Sequence, residues 1–190
     1  MDIFEAIKNR RSIGKVKQDA FPKEYIEKIL EAGTYAPNHH RTEPWRFFVV
    51  EGAARDRLGE VFADIVSAQE TDHTSEEFQT KLAKAKRNPL RAPVIIAVGI
   101  EPSSEKKVIK LEEYAAVNSA VQNMLLAAHA LGLGSIWRTG AICYEDQVRD
   151  FFGLSENGKV LAFIYLGYPD IAPKQVQKTD FHTYTKWMNT

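Results

Sequence analysis

Three short runs of this chain carry donor side chains at spacings that suit an anionic ligand. The first is Arg10-Arg11-Ser12. Two guanidiniums and a hydroxyl make a phosphate-binding set, since arginine offers bidentate charge-assisted hydrogen bonds and serine a neutral donor. The same pair also reads as an ordinary helix C-terminus, where cations offset the negative end of the helix dipole; on composition alone that plainer reading weighs more. The second run, Pro37-Asn38-His39-His40, places amide and imidazole donors on a loop closed by Pro44. The third is Gly132-Leu133-Gly134-Ser135 followed by Trp137-Arg138-Thr139. There the glycines would let backbone approach a ligand closely, and Arg138 and Thr139, just after a short strand, can reach a phosphate or the edge of a cofactor.

Other chemistries find little support. The Gly-x-Gly run lacks the next glycine of a dinucleotide fingerprint and follows a helix instead of a strand. His39 and Glu43 stand four apart and suggest a metal pair. Zinc needs at least three protein ligands, and no third is evident. His73, His129 and His182 stand alone. Cys143 is the single cysteine, so no internal disulfide can form, and it reads as a structural thiol. Ser12, Ser119 and Ser135 lack a nucleophile-elbow context. No paired carboxylates or P-loop appear. A chain with so few acid, base or nucleophile sets suits chemistry carried by a cofactor, which the protein binds, orients and tunes. The 25 basic and 25 acidic residues cancel, leaving no global field for nucleic acid or an anionic membrane.

The elements that must position these runs follow from hydrophobic period and punctuation. Asp2 and Glu5 form a capping box for a helix that ends at the basic triplet. Pro22 opens a second helix with a stripe of Tyr25, Ile26, Ile29 and Leu30, and Gly33 is its C-cap. Residues 45–50 read as a strand, 53–68 and 76–87 as helices, and 94–100 as a fully buried strand. The longest helix, 111–131, is apolar around much of its circumference and reads as a central buried element and a candidate subunit contact. Residues 135–137 form a short strand, 145–152 a short helix and 160–167 another buried strand. The tail, 170–190, keeps Phe181, Tyr184 and Trp187 and is expected to lie against a surface. The 190 residues predict one α+β domain without linkers or repeats. The N-terminus carries no secretory pattern, so a cytoplasmic protein is expected.

Taken together, four segments resemble the FMN-dependent nitroreductase family, and the compact length with Trp137-Arg138-Thr139 points to its short YdjA-like branch. Arg10-Arg11-Ser12 looks like the family's opening element. Ala36-Pro37-Asn38-His39-His40 through Pro44-Trp45-Arg46-Phe47 looks like its loop and strand. Leu131-Gly132-Leu133-Gly134-Ser135-Ile136-Trp137 looks like its helix end, and Gly167-Tyr168-Pro169 like its closing motif. The resemblance implies a mixed central β-sheet wrapped by helices, in a domain-swapped-type homodimer holding FMN at the interface. It implies FMN contacts from Arg10, Arg11, Ser12, Trp137, Arg138 and Thr139 of one chain and from Tyr35, Asn38 and His39 of the other. The implied reaction is ping-pong: NADH or NADPH reduces the flavin at N5, and a nitroaromatic, quinone or similar acceptor takes two electrons. No metal is implied.

One departure stands out. Many relatives carry a basic residue two positions after the Ser; here that position is Gly14, followed by Lys15. Arg10 and Arg138 are the candidates for the missing charge near the flavin pyrimidine. Lys174 and Lys178 are candidates for extra phosphate charge. A flavin-binding or flavin-sensing protein without turnover stays open as an alternative. So does a flavin-fragmenting or reductive-dehalogenating relative.

Overall fold

Helix α1 (Ile3–Asn9) starts on Asp2, whose side chain accepts a hydrogen bond from the Phe4 backbone N–H. That satisfies one orphan donor of the first turn. The reciprocal half of the capping box, from Glu5, is not formed among the described residues, which in this computed structural model are 2–173 and 176–188. The remaining order is α2 (Lys23–Thr34), β1 (Trp45–Glu51), α3 (Ala53–Gln69), α4 (Glu76–Arg87), β2 (Val94–Ile100), α5 (Lys110–Ala130), β3 (Gly134–Arg138), α6 (Asp146–Phe151) and β4 (Lys159–Gly167). The four strands lie in the order β1-β2-β4-β3, each pair antiparallel. The parallel component expected of a mixed sheet is confined to one bridge, Ser12 to Ser135, on the β3 edge.

Two apolar layers cover the sheet. On one face β2 and β4 present Ile96, Val98, Ile164 and Leu166 to α2 and α5. On the other, Ile95, Ala97, Phe163 and Tyr165 meet α3, α4 and α6. Strand β2 is buried at every position, which is why its sequence is an unbroken apolar run. Gly33 does not cap α2. The helix continues to Thr34 with Tyr35 as C-cap, and Gly33 is small because a Cβ there would meet Met124 Cγ and Phe47 Cζ at 3.0 Å.

Helix α5 crosses one face of the sheet but is not buried all round. Leu111, Ala115, Asn118 and Gln122 are exposed. Ile3, Phe4 and Ile7 on α1 are exposed too, as are Phe181, Tyr184 and Trp187 of the tail. The apolar periodicity was therefore real, but within one chain these faces meet solvent.

Candidate functional site

The segment after α1 is held against the β3 edge by backbone pairing. Ile13 N–H donates to Ser135 C=O at 2.8 Å and Lys17 N–H to Tyr168 C=O at 2.8 Å. The glycines of two motifs make the seat. A Cβ on Gly134 would lie 3.1 Å from Ile13 Cγ2, and one on Gly167 would lie 2.9 Å from Val16. Hence Gly134 and Gly167 admit another segment of the chain, while Gly132 of the Gly-x-Gly run, at φ 78°, would place a Cβ in open space. Three sequence motifs interlock through this contact, and the contact fixes where Arg10, Arg11 and Ser12 sit.

Those three residues line a cavity of about 720 Å³ together with Lys8, Ile171 and Lys178. No carboxylate lines it among the described residues. Lys178 thus lines the same cavity as the two arginines, while Lys174 lies outside the described residues. The two arginines differ. Arg11 Nη1 donates to the carbonyls of Lys8 (2.6 Å) and Arg10 (2.8 Å) at the end of α1, and its buried Nε has no partner among the described residues. Arg10 makes no side-chain hydrogen bond among the described residues. Burial, and then the charge of Arg11, pull its pKa below the ordinary arginine value. Arg11 is thus half committed to the helix end, and Arg10 is a free cation. Both also depress the pKa of His129 on α5, after burial as the larger cause.

Trp137, Arg138 and Thr139 do not share one face. Trp137 packs on the α5 layer and lines a cleft of about 420 Å³ with Thr139, Tyr114 and Tyr144; its buried indole N–H has no partner among the described residues. Arg138 points to the opposite side of the sheet, its guanidinium 5.2 Å from the Tyr165 ring centroid. That follows from strand alternation, which sends neighbouring side chains to opposite faces.

The loop after α2 carries backbone strain. His40, Arg41 and Glu43 have φ of 60°, 54° and 47°. Non-glycine residues rarely hold such values, and they concentrate at ligand clamps and active sites. Asn38 closes the loop by accepting from Glu43 N–H at 3.0 Å. His39 stacks on His40 and pairs through Nδ1 with Glu112 Oε2 at 2.6 Å, at the first turn of α5. It does not pair with Glu43. Among the described residues no three His, Cys, Asp or Glu side chains gather as metal ligands. Tyr35 is 78% exposed.

Tyr35, Asn38 and His39 are therefore not brought to the arginine cavity of their own chain. His39 meets α5 at Glu112, while the arginines act on His129, seventeen residues on, or about 25 Å along the helix. Lys15, which follows Gly14, is bound to Asp170 at 2.8 Å. The groups that sequence reasoning passed over are Lys84, Arg87 and Arg91, which surround Arg138 in a cleft of about 280 Å³. Their only signal was a run of unmatched basic residues near the end of α4.

The sequence profile described as the nitroreductase family matches residues 7–168. The Escherichia coli (strain K12) protein named "Putative NAD(P)H nitroreductase YdjA" is 37% identical over 171 residues, spanning 90% of this chain and 90% of that one. A solved nitroreductase-like family protein from Bacillus cereus has a TM-score of 0.84 at 26% identity, covering 100% of this chain and 97% of that one. A nitroreductase with bound FMN from Bacteroides fragilis NCTC 9343 has a TM-score of 0.73 at 27% identity, covering 99% and 100%. With the profile spanning most of the chain and the same motifs interlocked around the arginine cavity, the chain belongs to the nitroreductase family.

Proposed function

We propose that this chain is an FMN-dependent NAD(P)H oxidoreductase of the nitroreductase type, working as a homodimer with FMN between the subunits. The observation that carries the reading is the cavity at the end of α1, where Lys8, Arg10, Arg11 and Lys178 converge beside Ser12 with no carboxylate to balance them. Uncompensated cations around one cavity favour an anion with several acceptor oxygens, such as the FMN phosphate. The E. coli relative's name and the FMN in the B. fragilis structure support the choice of cofactor and donor.

The chain's own groups fit this cofactor. Arg10, Arg11 and Ser12 hold the phosphate. Arg11 Nε and Trp137 Nε1, both buried and unpartnered among the described residues, are donors that a ligand would satisfy. Trp137, Arg138 and Thr139 orient the ring system from the β3 edge. Tyr35, Asn38 and His39 approach it from the other subunit, held by the strained loop. When bound, FMN supplies the two-electron redox chemistry, between NADH or NADPH and a nitroaromatic, quinone or similar acceptor. The protein positions, shields and tunes it.

The homodimer rests on two features. Arg10 and Arg11, beside His129, and His39, beside Glu112, lie near opposite ends of α5, so an antiparallel pairing of two α5 helices brings one chain's His39 toward the other's Arg10. The exposed apolar side chains of α1, α5 and the tail supply the surface that an obligate interface buries. Residues 170–190 then act as an arm on the partner. No helix among the described residues is long and apolar enough to cross a membrane.

An absorbance spectrum of the purified protein tests the reading. Yellow protein, or FMN uptake on addition, followed by bleaching with NADH or NADPH under anaerobic conditions is expected. Colourless protein that takes up no FMN refutes it; bound FMN that neither nicotinamide bleaches leaves a binding protein without turnover.

A further inference from the structure

Two opposite pulls meet on the imidazole of His129. It lies in the last turn of α5, where the negative end of the helix dipole favours a charged imidazole. Against this, α1 packs on α5 and brings the charges of Arg10 and Arg11 to bear on it. Its Nε2 is buried without a hydrogen-bond partner among the described residues. Burial first, and then the two arginines, hold its pKa below the ordinary histidine value.

No negative charge offsets the arginines. The other titratable groups on elements against α5 are Glu5 and Lys8 of α1, Lys23, Glu24, Tyr25, Glu27, Lys28 and Glu31 of α2, His39, His40 and Arg41 of the loop, and Arg46, Glu51, Arg138 and Lys159 of the strands. None of them is among the causes of the shift. The carboxylates of α1, α2 and β1 in that group are all exposed. On α5 itself, Glu112 and Glu113 stand at the opposite end.

Arg10 and Arg11 are also the cations that line the cavity at the end of α1. A phosphate monoester is close to doubly charged above its second ionisation near pH ~6. Settled against the arginines, it cancels the field that keeps a proton off His129. The pull of the helix end then remains unopposed. His129 lines no part of the cavity itself, so the coupling runs through the field of the two arginines.

We infer that His129 is the proton-carrying member of the FMN phosphate site: neutral in the FMN-free chain near neutral pH, it takes up a proton from solvent as the phosphate settles against Arg10 and Arg11. This rests on the FMN reading above and ties retention of the cofactor to pH. No bond to FMN forms or breaks. The sign follows from linkage: a ligand that makes a group easier to protonate binds more tightly as pH falls. The phosphate alone works the other way, because below about pH 6 free FMN must give up a proton to bind as a dianion. His129 offsets that loss.

The test compares wild type with His129→Gln by fluorescence titration of FMN into FMN-free protein, from about pH 8 down to about pH 5.5. The phosphate's own titration is common to both proteins, so the ratio of their dissociation constants isolates His129. That ratio, variant over wild type, should rise about threefold or more as pH falls, below the ceiling of about tenfold per pH unit for one proton. Riboflavin, which lacks the phosphate, should give a constant ratio. In weakly buffered solution near pH ~6, FMN binding should release more protons from the variant than from wild type. A constant ratio with FMN, or equal proton release, overturns the inference and leaves His129 as a helix-end residue. A ratio that rises equally with riboflavin overturns it too, since the proton then does not answer the phosphate. Should His129→Gln fail to fold, histidine proton NMR of the wild type decides. One imidazole should titrate at higher pH with FMN than without it, and not respond so to riboflavin; no such imidazole overturns the inference. Wild-type protein that takes up no FMN removes the functional reading itself, a different failure visible before any variant is made.

Discussion

The two arginines at the end of α1 should separate under mutation, because only one is used by the fold. Arg11 Nη1 donates to two backbone carbonyls of the helix end, whereas Arg10 makes no side-chain hydrogen bond among the described residues and faces the cavity beside a like charge. On the proposed FMN reading, Arg10→Ala removes a charged phosphate contact worth about 1.5–3 kcal/mol, which is roughly a tenfold to 150-fold weaker FMN dissociation constant. It removes no internal bond, so the stability of FMN-free protein should change by no more than about 0.5 kcal/mol. Arg11→Ala loses both carbonyl bonds and a cation at a helix C-terminus, at a cost of about 1 kcal/mol in FMN-free protein. Its effect on FMN is added to that loss. Fluorescence titration of FMN and denaturant unfolding of FMN-free protein measure the two quantities separately. Raised salt should weaken FMN binding more in wild type than in Arg10→Ala, because one charge pair fewer is screened. If Arg10→Ala lowers stability while FMN affinity stays at the wild-type value, Arg10 is a helix-end residue and the cavity reading fails.

Other outcomes follow from the same geometry. Gly59→Ala, which would stabilise an ordinary helix interior, should instead cost about 1–3 kcal/mol, since a Cβ there would be 2.4 Å from the Lys86 carbonyl oxygen; equal or higher stability in denaturant would show that α3 and α4 separate freely. Cys143 is buried with its thiol pushed up to about 12, leaving a thiolate fraction of roughly one in ten thousand at pH 8, so thiol reagents should label it only on unfolding; rapid labelling of native protein would contradict that burial. His129 has its pKa lowered by burial, then by Arg10 and Arg11. The unfolded chain therefore binds a proton that the folded chain resists, and stability should fall as pH drops below about 6.5. His129→Gln should flatten that slope in pH-dependent unfolding, and an unchanged slope would assign it to other groups. In the proposed dimer, Phe4→Asp, at a side chain 76% exposed in one chain, should give monomer in sedimentation and release FMN; an unaltered dimer would exclude α1 from the interface.

Much of this was legible in the sequence, and the reasons are local. Val94–Ile100 is apolar at each position except Gly99 and could only be a strand covered on both faces. The helix at Glu76–Arg87 emerged with its predicted bounds although its apolar stripe is thin, because Ser75 caps it by accepting from Phe78 N–H. What failed were inferences from residue type to purpose. Gly33 looked like a cap and is a packing contact. Gly134 looked like a ligand approach and is a seat for Ile13 and Val16. A glycine marks close approach, but sequence does not say to what. Trp137 and Arg138 were grouped because they adjoin, yet alternation along β3 sends them to opposite faces. The cleft of Lys84, Arg87, Arg91 and Arg138 joins the end of α4 to a strand that begins more than forty residues later, and no local period could show it.

Four of the six buried side-chain polar groups without partners among the described residues gather in one region, while the other two, Thr42 Oγ1 and Glu113 Oε1, lie in the loop after α2 and at the start of α5. Arg11 Nε, His129 Nε2, Trp137 Nε1 and Arg138 Nε are all buried without hydrogen bonds among the described residues, and all belong to the β3 edge or to the end of α1 and α5 beside it. A buried donor without an acceptor costs about 1–3 kcal/mol, and a stable fold carries few of them. Concentrating several on one edge, with two cation clusters lacking carboxylates, is a poor arrangement for an isolated chain. It is a good one for a chain whose native state includes an acceptor-rich anion along that edge. The exposed apolar side chains of α1, α5 and the tail make the same point in another form, since they await a surface as the donors await acceptors. One assembly answers both needs: FMN along the β3 edge, closed over by a second copy whose strained loop supplies Asn38 and His39. On this view FMN and dimerisation are linked, because each completes surfaces that the other leaves bare, and loss of either should weaken both.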